Sequence, residues 1–180
     1  MRIRSDRSFF KSAKALSASS RQLLASVGED GNVNIWDLRS SSITTPVKVL
    51  QPFLHSMTKT KDPSKYLSCC SFRGDWIVTG GGPKTALWHL GSGEPSQVLE
   101  LGDDSPLCSL SAEGRVLVGG SGGKIHQFQN NGTKISGVPV SSPLVYSIRE
   151  SPNGYLFAAG NTNVIDVYRN YGHRIHQLIV

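Results

Sequence analysis

The stretch Gly28-Glu-Asp-Gly-Asn-Val-Asn-Ile-Trp-Asp-Leu-Arg39 begins with a polar turn and continues into a short run in which apolar and polar residues alternate. A second apolar run, residues 23–27, precedes it. Two such runs separated by a glycine-containing turn are typical of a β-hairpin, because glycine accepts the backbone angles that tight turns require. This stretch therefore predicts two antiparallel strands, at residues 23–27 and 33–38.

The same pattern returns three times along the chain. An aromatic residue closes each copy, with gaps of 52, 40 and 40 residues, and a glycine stands eight residues before each aromatic. The aromatic residues are Trp36, Trp88, Phe128 and Tyr168, and the glycines are Gly28, Gly80, Gly120 and Gly160. The longer first gap coincides with a polar segment, residues 51–65, as expected for an insertion in a surface loop. A fixed period of this length indicates a repeat architecture.

Each repeat is predicted to contain four short strands. Two form the hairpin, and one further apolar run lies before it and another after it. In the second repeat, for example, the fourth strand is predicted at residues 97–101. The sequence thus predicts an all-β protein of four four-stranded antiparallel blades, the building unit of a β-propeller. The predicted blades cover about residues 12–54, 66–102, 106–140 and 143–180, after a basic arm at residues 1–11.

The first repeat resembles the WD-repeat family, because its hairpin closes on the dipeptide Trp36-Asp37. The resemblance implies that Asp30 ties neighbouring strands together and that the tryptophan packs between blades. The later repeats depart from the pattern, since Trp88 is followed by His89 and the other two aromatic residues by Gln129 and Arg169. The repeated glycine and aromatic positions, with Asp30 and Asp37, are therefore interpreted as structural markers of the blades.

The second repeat carries a narrower resemblance in Gly80-Gly-Gly-Pro83 and Leu87-Trp-His-Leu90, and the fourth repeat adds Ala158-Ala-Gly-Asn161. These segments are similar to WD-repeat subunits of the THO and transcription-export assembly. The resemblance implies a nuclear, non-catalytic scaffold that binds other THO subunits and acts in mRNA processing and export. It also implies a seven-bladed ring, of which this chain would be a fragment holding the last four blades.

The net charge of +6 could instead indicate a nucleic-acid-binding protein. The excess, however, is confined to residues 1–14, with a net charge of +4, and residues 51–65, with +2. Direct RNA contact through the arm and the insertion is therefore an alternative, with His55, Lys59, Lys61 and Lys65 as candidate contacts. We expect these lysines to be solvated surface, because no aromatic stacking platform accompanies them. A WD-repeat adaptor of another nuclear complex is a further alternative.

Chemical motifs give no support for an enzyme. Gly119-Gly-Ser-Gly-Gly123 matches the Gly-x-Ser-x-Gly pattern of hydrolases, but Ser121 is predicted in a turn between strands, whereas that elbow needs a strand followed by a helix. The cysteines lack metal-ligand spacing and their odd number favours a reducing, intracellular compartment. No apolar run is long enough to span a membrane. We therefore expect no catalytic residue, no metal, no cofactor and no small-molecule substrate.

Overall fold

The computed structural model describes residues 13–18, 22–41, 44–61 and 64–180, and the predicted basic arm lies outside them. The described residues form four antiparallel sheets of four strands each, as predicted. Blade 1 consists of β1 (Ala13–Ala18), β2 (Leu23–Gly28), β3 (Val33–Asp37) and β4 (Lys48–Leu50), and blade 2 of β5 (Leu67–Arg73), β6 (Trp76–Gly81), β7 (Ala86–His89) and β8 (Glu94–Val98). Blade 3 consists of β9 (Pro106–Ala112), β10 (Arg115–Gly120), β11 (Lys124–Gln129) and β12 (Lys134–Pro139), and blade 4 of β13 (Val145–Glu150), β14 (Tyr155–Gly160), β15 (Val164–Arg169) and β16 (His173–Ile179).

The glycine that ends the second strand has one structural position in all four blades, opposite the first residue of the first strand. In blades 1, 3 and 4 this residue is the predicted Gly28, Gly120 or Gly160, but in blade 2 it is Gly81 and not Gly80. The spacing from this glycine to the aromatic residue is therefore seven residues in blade 2 and eight residues in the other blades. Counting back from the aromatic residue could not reveal this difference.

The fourth strand of blade 2 also lies elsewhere than predicted, at Glu94–Val98 instead of residues 97–101. The apolar residues Leu99 and Leu101 suggested the later position. Both are buried in a cluster between blades 2 and 3, where they belong to the connection that follows the strand. Their burial against blade 3, beyond the last residue of the strand, thus explains why the apolar pattern suggested a later strand.

Each sheet has two faces, because side chains alternate along a strand. We call the face that carries the third-strand aromatic residue the front face and the opposite one the back face. Three apolar clusters join the back face of one blade to the front face of the next. Trp88, Phe128 and Tyr168 are each 1% exposed at these three interfaces. The repeated aromatic residue therefore fills the apolar interface between neighbouring blades.

The first strands β1, β5, β9 and β13 lie side by side along the inner edge of the arc of blades. Polar contacts join them, since Ser17 accepts a hydrogen bond from the Phe72 amide at 3.0 Å and the hydroxyls of Ser71 and Ser111 lie 2.9 Å apart. Among the described residues, β13 does not pack against β1 as the other inner strands pack against one another. The four blades therefore form an open arc.

Candidate interaction surface

The insertion between blades 1 and 2 folds into a compact loop on top of these blades. The Thr58 hydroxyl donates a hydrogen bond to the Pro52 carbonyl at 2.6 Å, and the Thr58 side chain is buried. The backbone amide of Lys84, which lies in the turn between β6 and β7, donates to the Thr58 carbonyl at 2.8 Å. On the blade 1 side, a Cβ at Gly31 would lie 2.6 Å from the Lys65 carbonyl, so only glycine allows this approach.

His55, a candidate contact residue, anchors the loop to blade 2. Its Nε2 atom lies 2.9 Å from a Glu94 carboxylate oxygen, and its ring meets the edge of Trp88 with ring centroids 5.6 Å apart. The imidazole is thus held by an acid on one side and by the interblade tryptophan on the other. This geometry gives His55 a positioning role in the loop.

The rest of the loop presents both apolar and basic side chains to solvent. Leu54 is 63% exposed and Met57 is 43% exposed, and Lys59 and Lys61 are also exposed. The ammonium of Lys65 lies over the half-buried ring of Phe53, 5.7 Å from its centroid. We call the exposed set Leu54, Met57, Lys59, Lys61 and Lys65 the insert surface. It combines two exposed apolar side chains with three basic side chains on one loop.

The blade markers of the first repeat make mostly local contacts. Both Asp30 carboxylate oxygens accept hydrogen bonds from Asn32, one from its backbone N–H and one from its side-chain Nδ2. The resemblance implied a tie between strands, whereas these bonds hold the turn itself. Asp37 pairs with Arg39, whose guanidinium lies 2.7 Å from the carboxylate and lowers the pKa of Asp37 to about 2.

The tryptophans of the first two blades are fixed by the same kind of bond. The indole nitrogen of Trp36 donates to the Ser26 hydroxyl at 3.1 Å, and that of Trp88 donates to the Thr79 hydroxyl at 3.0 Å. In blade 4, the hydroxyl of Tyr168 donates instead to the Pro139 carbonyl at 2.7 Å, across the interface with blade 3. Each buried polar tip therefore has a partner, as burial requires.

Blades 3 and 4 contain polar ties that the sequence analysis missed. His126, two residues before the aromatic residue of its blade, lies 2.7 Å from Asp104 in the connection that leads into blade 3. Lys124 adds an ion pair with the same carboxylate at 3.1 Å. Burial lowers the pKa of His126, which favours the neutral ring, while Asp104 opposes this shift. Burial alone would raise the pKa of Asp104, but the bonds from His126 and Lys124 lower it.

In blade 4 the corresponding position is Asp166, which is fully buried. It accepts hydrogen bonds from the amide and hydroxyl of Ser141, at 2.6 and 2.8 Å, and from Gln177 at 3.1 Å. Arg174 lies 3.4 Å away. The signal for these ties would have been a polar residue two positions before the aromatic, paired with a polar residue in the preceding connection.

Ser121 and the buried cysteines, which are reactive residue types, have structural contacts. Ser121 lies in the turn between β10 and β11, where its hydroxyl accepts a hydrogen bond from the Ser105 amide at 2.9 Å. Burial raises the pKa of Cys69 to about 11 and that of Cys70 to about 12, so both thiols stay protonated near neutral pH. The described part of the chain contains no cluster of three or more potential metal-ligating side chains. Nor does it contain a helix that could cross a membrane.

Residues 12–37 match the WD40 family, described as WD domain, G-beta repeat. The chain is 32% identical to human THO complex subunit 6 over 157 residues, which cover 84% of this chain and 45% of the relative. It is 26% identical to THO complex subunit 6 of Arabidopsis thaliana over 159 residues, 87% of this chain and 41% of the relative. The chain therefore spans less than half the length of these curated relatives.

Among solved structures, the chain is similar to the computationally designed Ika4 protein, with a TM-score of 0.68 and 14% sequence identity. The similarity covers 87% of this chain and 90% of the designed one, and at this identity it concerns the fold alone. The four-stranded sheets, the interblade aromatic residues and the matched repeat agree with one another. The chain has the fold of WD-repeat β-propeller blades, carries a matched WD repeat at residues 12–37, and is similar to THO complex subunit 6 over most of its own length.

Proposed function

We propose that this chain is a non-catalytic scaffold subunit of a THO complex in the nucleus, and that it supports mRNA processing and export through contacts with other THO subunits. The observation that carries the proposal is the similarity to THO complex subunit 6 over 84% of the chain. WD-repeat proteins commonly act by presenting loops on a rigid scaffold, and function resides in such surfaces.

The insert surface is the best candidate for a protein contact within this role. A protein interface has an apolar centre from which water is excluded and a polar rim. Leu54 and Met57 supply exposed apolar area, and the three lysines of the insert surface lie on the same loop. The partner surface that fits this pattern is apolar at its centre and acidic at its edge. The contacts of His55 and Thr58 hold the loop on blade 2, which lowers the entropy cost of binding.

Direct RNA contact is a second candidate, because Lys59, Lys61 and Lys65 are all exposed. Tyr66 follows Lys65 directly and is 41% exposed, so its ring is available to stack on a base. Phe53 is half-buried with an ammonium over its ring and is poorly placed to do so. His55 is held by Glu94. The exposed apolar side chains of Leu54 and Met57 nevertheless favour a protein partner over RNA, because an RNA site has no use for them.

Two double variants separate the candidates, and both are measured by capture of the tagged chain from nuclear extract with quantitative mass spectrometry. We expect Leu54→Ser with Met57→Ser to reduce the recovered THO subunits at least tenfold, because the apolar centre of the interface is lost. Lys59→Gln with Lys61→Gln should change recovery by about threefold or less, since rim charges contribute little affinity. Full recovery with the serine variant would exclude the insert surface as the contact. RNA would be favoured if only the glutamine variant lost recovered THO subunits strongly, and only at low salt, where lysine–phosphate contacts are strongest.

A further inference from the structure

A buried histidine joins blade 3 to the connection that leads into it from blade 2. The His126 side chain is 2% exposed and shares the front face of blade 3 with Phe128, two residues later on β11. Its Nε2 atom lies 2.7 Å from a carboxylate oxygen of Asp104, which belongs to the connection. The backbone of Gly122, in the turn between β10 and β11, lies against the same carboxylate. This contact therefore holds residues 99–105 on blade 3.

The hydrogen bonds of His126 select one form of the imidazole ring. The Asp104 carboxylate is an acceptor, so Nε2 must carry a proton and donate it. The other ring nitrogen, Nδ1, is buried and has no hydrogen-bond partner among the described residues. In the neutral ring Nδ1 has no proton, whereas in the protonated ring it would be a buried donor without an acceptor, which is costly. The site is therefore built for the neutral ring.

Two cations near the ring oppose a further positive charge on it. Lys124 lies 3.1 Å from the Asp104 carboxylate, and Lys134 on β12 also acts on His126. Asp104 favours the protonated ring, but it already pairs with Lys124. Burial is the largest cause and lowers the pKa of His126. Burial and both lysines thus act in the same direction.

The elements packed against His126 surround it mainly with apolar side chains. Leu99 and Leu101 of the connection are buried in the cluster that joins blades 2 and 3. The other two acids of the connection, Glu100 and Asp103, are exposed to solvent, where their charges are screened. A protonated ring would therefore place a charge and an unpaired N–H donor at an apolar interface.

We propose that His126 is a pH-dependent lock between blades 2 and 3: the neutral ring holds the connection at residues 99–105 on blade 3, and protonation releases it. Because the folded chain binds this proton less readily than the unfolded chain, the stability is fully present above the ordinary histidine pKa of about 6.5 and is lost as the pH falls below it. The inference depends on the fold and is independent of the proposed THO role.

Nuclear magnetic resonance of the histidine rings tests the lock in the isotopically labelled wild-type chain, from about pH 8 to about pH 5. His126 should carry its proton on Nε2 at neutral pH and should titrate at a lower pH than the exposed His173 and His176. The proposal would be overturned by a His126 ring that is protonated at neutral pH, or that titrates together with or above the exposed rings.

Urea denaturation at about pH 7.5 and about pH 5.5 measures the effect on stability. His126→Gln keeps an N–H donor for Asp104 but cannot titrate, and His176→Gln is the matched control at an exposed histidine. Lowering the pH should raise the unfolding equilibrium constant of the wild type at least about threefold more than that of His126→Gln, while the control should follow the wild type. An equal pH dependence of the wild type and His126→Gln would overturn the proposal.

Hydrogen exchange of the wild-type chain at the same two pH values shows where the structure loosens. After correction for intrinsic exchange rates, the lower pH should reduce the protection of residues 99–105 at least about fivefold relative to β14, which lies in blade 4. Protection that falls equally in both segments would show global loss of stability without release of the connection, and would contradict the lock. Both this measurement and the ring titration use the wild-type chain, so they decide the question even where His126→Gln fails to fold.

Discussion

In blades 2, 3 and 4, the glycine at the end of the second strand lies where the chain leaves no room for a side chain. A Cβ added to Gly120 would overlap the Ser105 carbonyl, and one added to Gly160 would overlap the Leu144 carbonyl. The overlapping atom is backbone in both blades, so it cannot move aside as a flexible side chain could. Close approach between the second strand and the segment that enters the first strand thus explains why this glycine recurs in the repeat.

Replacement of Gly160 by alanine therefore tests the repeat at the scale of one methyl group. We expect Gly160→Ala to lower the free energy of unfolding by about 1–3 kcal/mol, as overpacking does, in urea denaturation followed by tryptophan fluorescence. Gly172→Ala is the matched control, because a Cβ there would meet no atom within 4 Å, and its effect should stay within about 0.5 kcal/mol. Equal effects of the two substitutions would contradict the crowding argument.

In blades 2, 3 and 4, the third strand carries the aromatic residue that packs into the interface with the preceding blade. Trp88 is 1% exposed and lies in the cluster that joins blades 1 and 2, where its indole donates to Thr79. Trp76, in the neighbouring strand, is 38% exposed and packs against His89 with ring centroids 4.9 Å apart. The two tryptophans therefore differ in burial within one sheet.

This difference gives a prediction at the scale of the strand. Trp88→Ala should lower the free energy of unfolding by about 3–5 kcal/mol, because it removes a fully buried aromatic side chain. Trp76→Ala should cost about 1 kcal/mol or less, since its ring is partly solvated in the folded state. Urea titrations monitored by far-ultraviolet circular dichroism measure both. A Trp88→Ala protein as stable as the wild type would remove the basis for the blade assignment.

The sequence predicted these elements as far as local pattern determines them. The regular spacing of the aromatic residues predicted the four sheets, because each sheet carries one such residue at the same position of its third strand. The ties His126 to Asp104 and Asp166 to Ser141 escaped prediction, because each joins residues more than twenty positions apart and depends on how a connection passes over the next blade. The contact of His55 with Glu94 was missed for the same reason.

For the whole molecule, the sequence predicted the fold better than it predicted which side chains of the insertion are exposed for binding. Residues 51–65 were recognised as an insertion from the longer first gap, and their positive charge suggested RNA contact. The structure adds that Leu54 and Met57 are exposed on the same loop, which sequence hydropathy could not distinguish from buried apolar residues. Whether a loop residue faces the blade or the solvent depends on contacts such as that of Thr58 with Lys84, which no local pattern encodes.

If the chain acts as a scaffold in a THO complex, protein contacts and not RNA hold it to the other THO subunits. The most direct measurement is capture of the tagged wild-type chain from nuclear extract that has been treated with ribonuclease and washed at moderate salt, followed by mass spectrometry. We expect other THO subunits to be recovered in amounts unchanged by ribonuclease, because an interface with an apolar centre does not depend on RNA or on counterion release. Recovery of no THO subunit, or loss of every THO subunit after ribonuclease treatment, would contradict it.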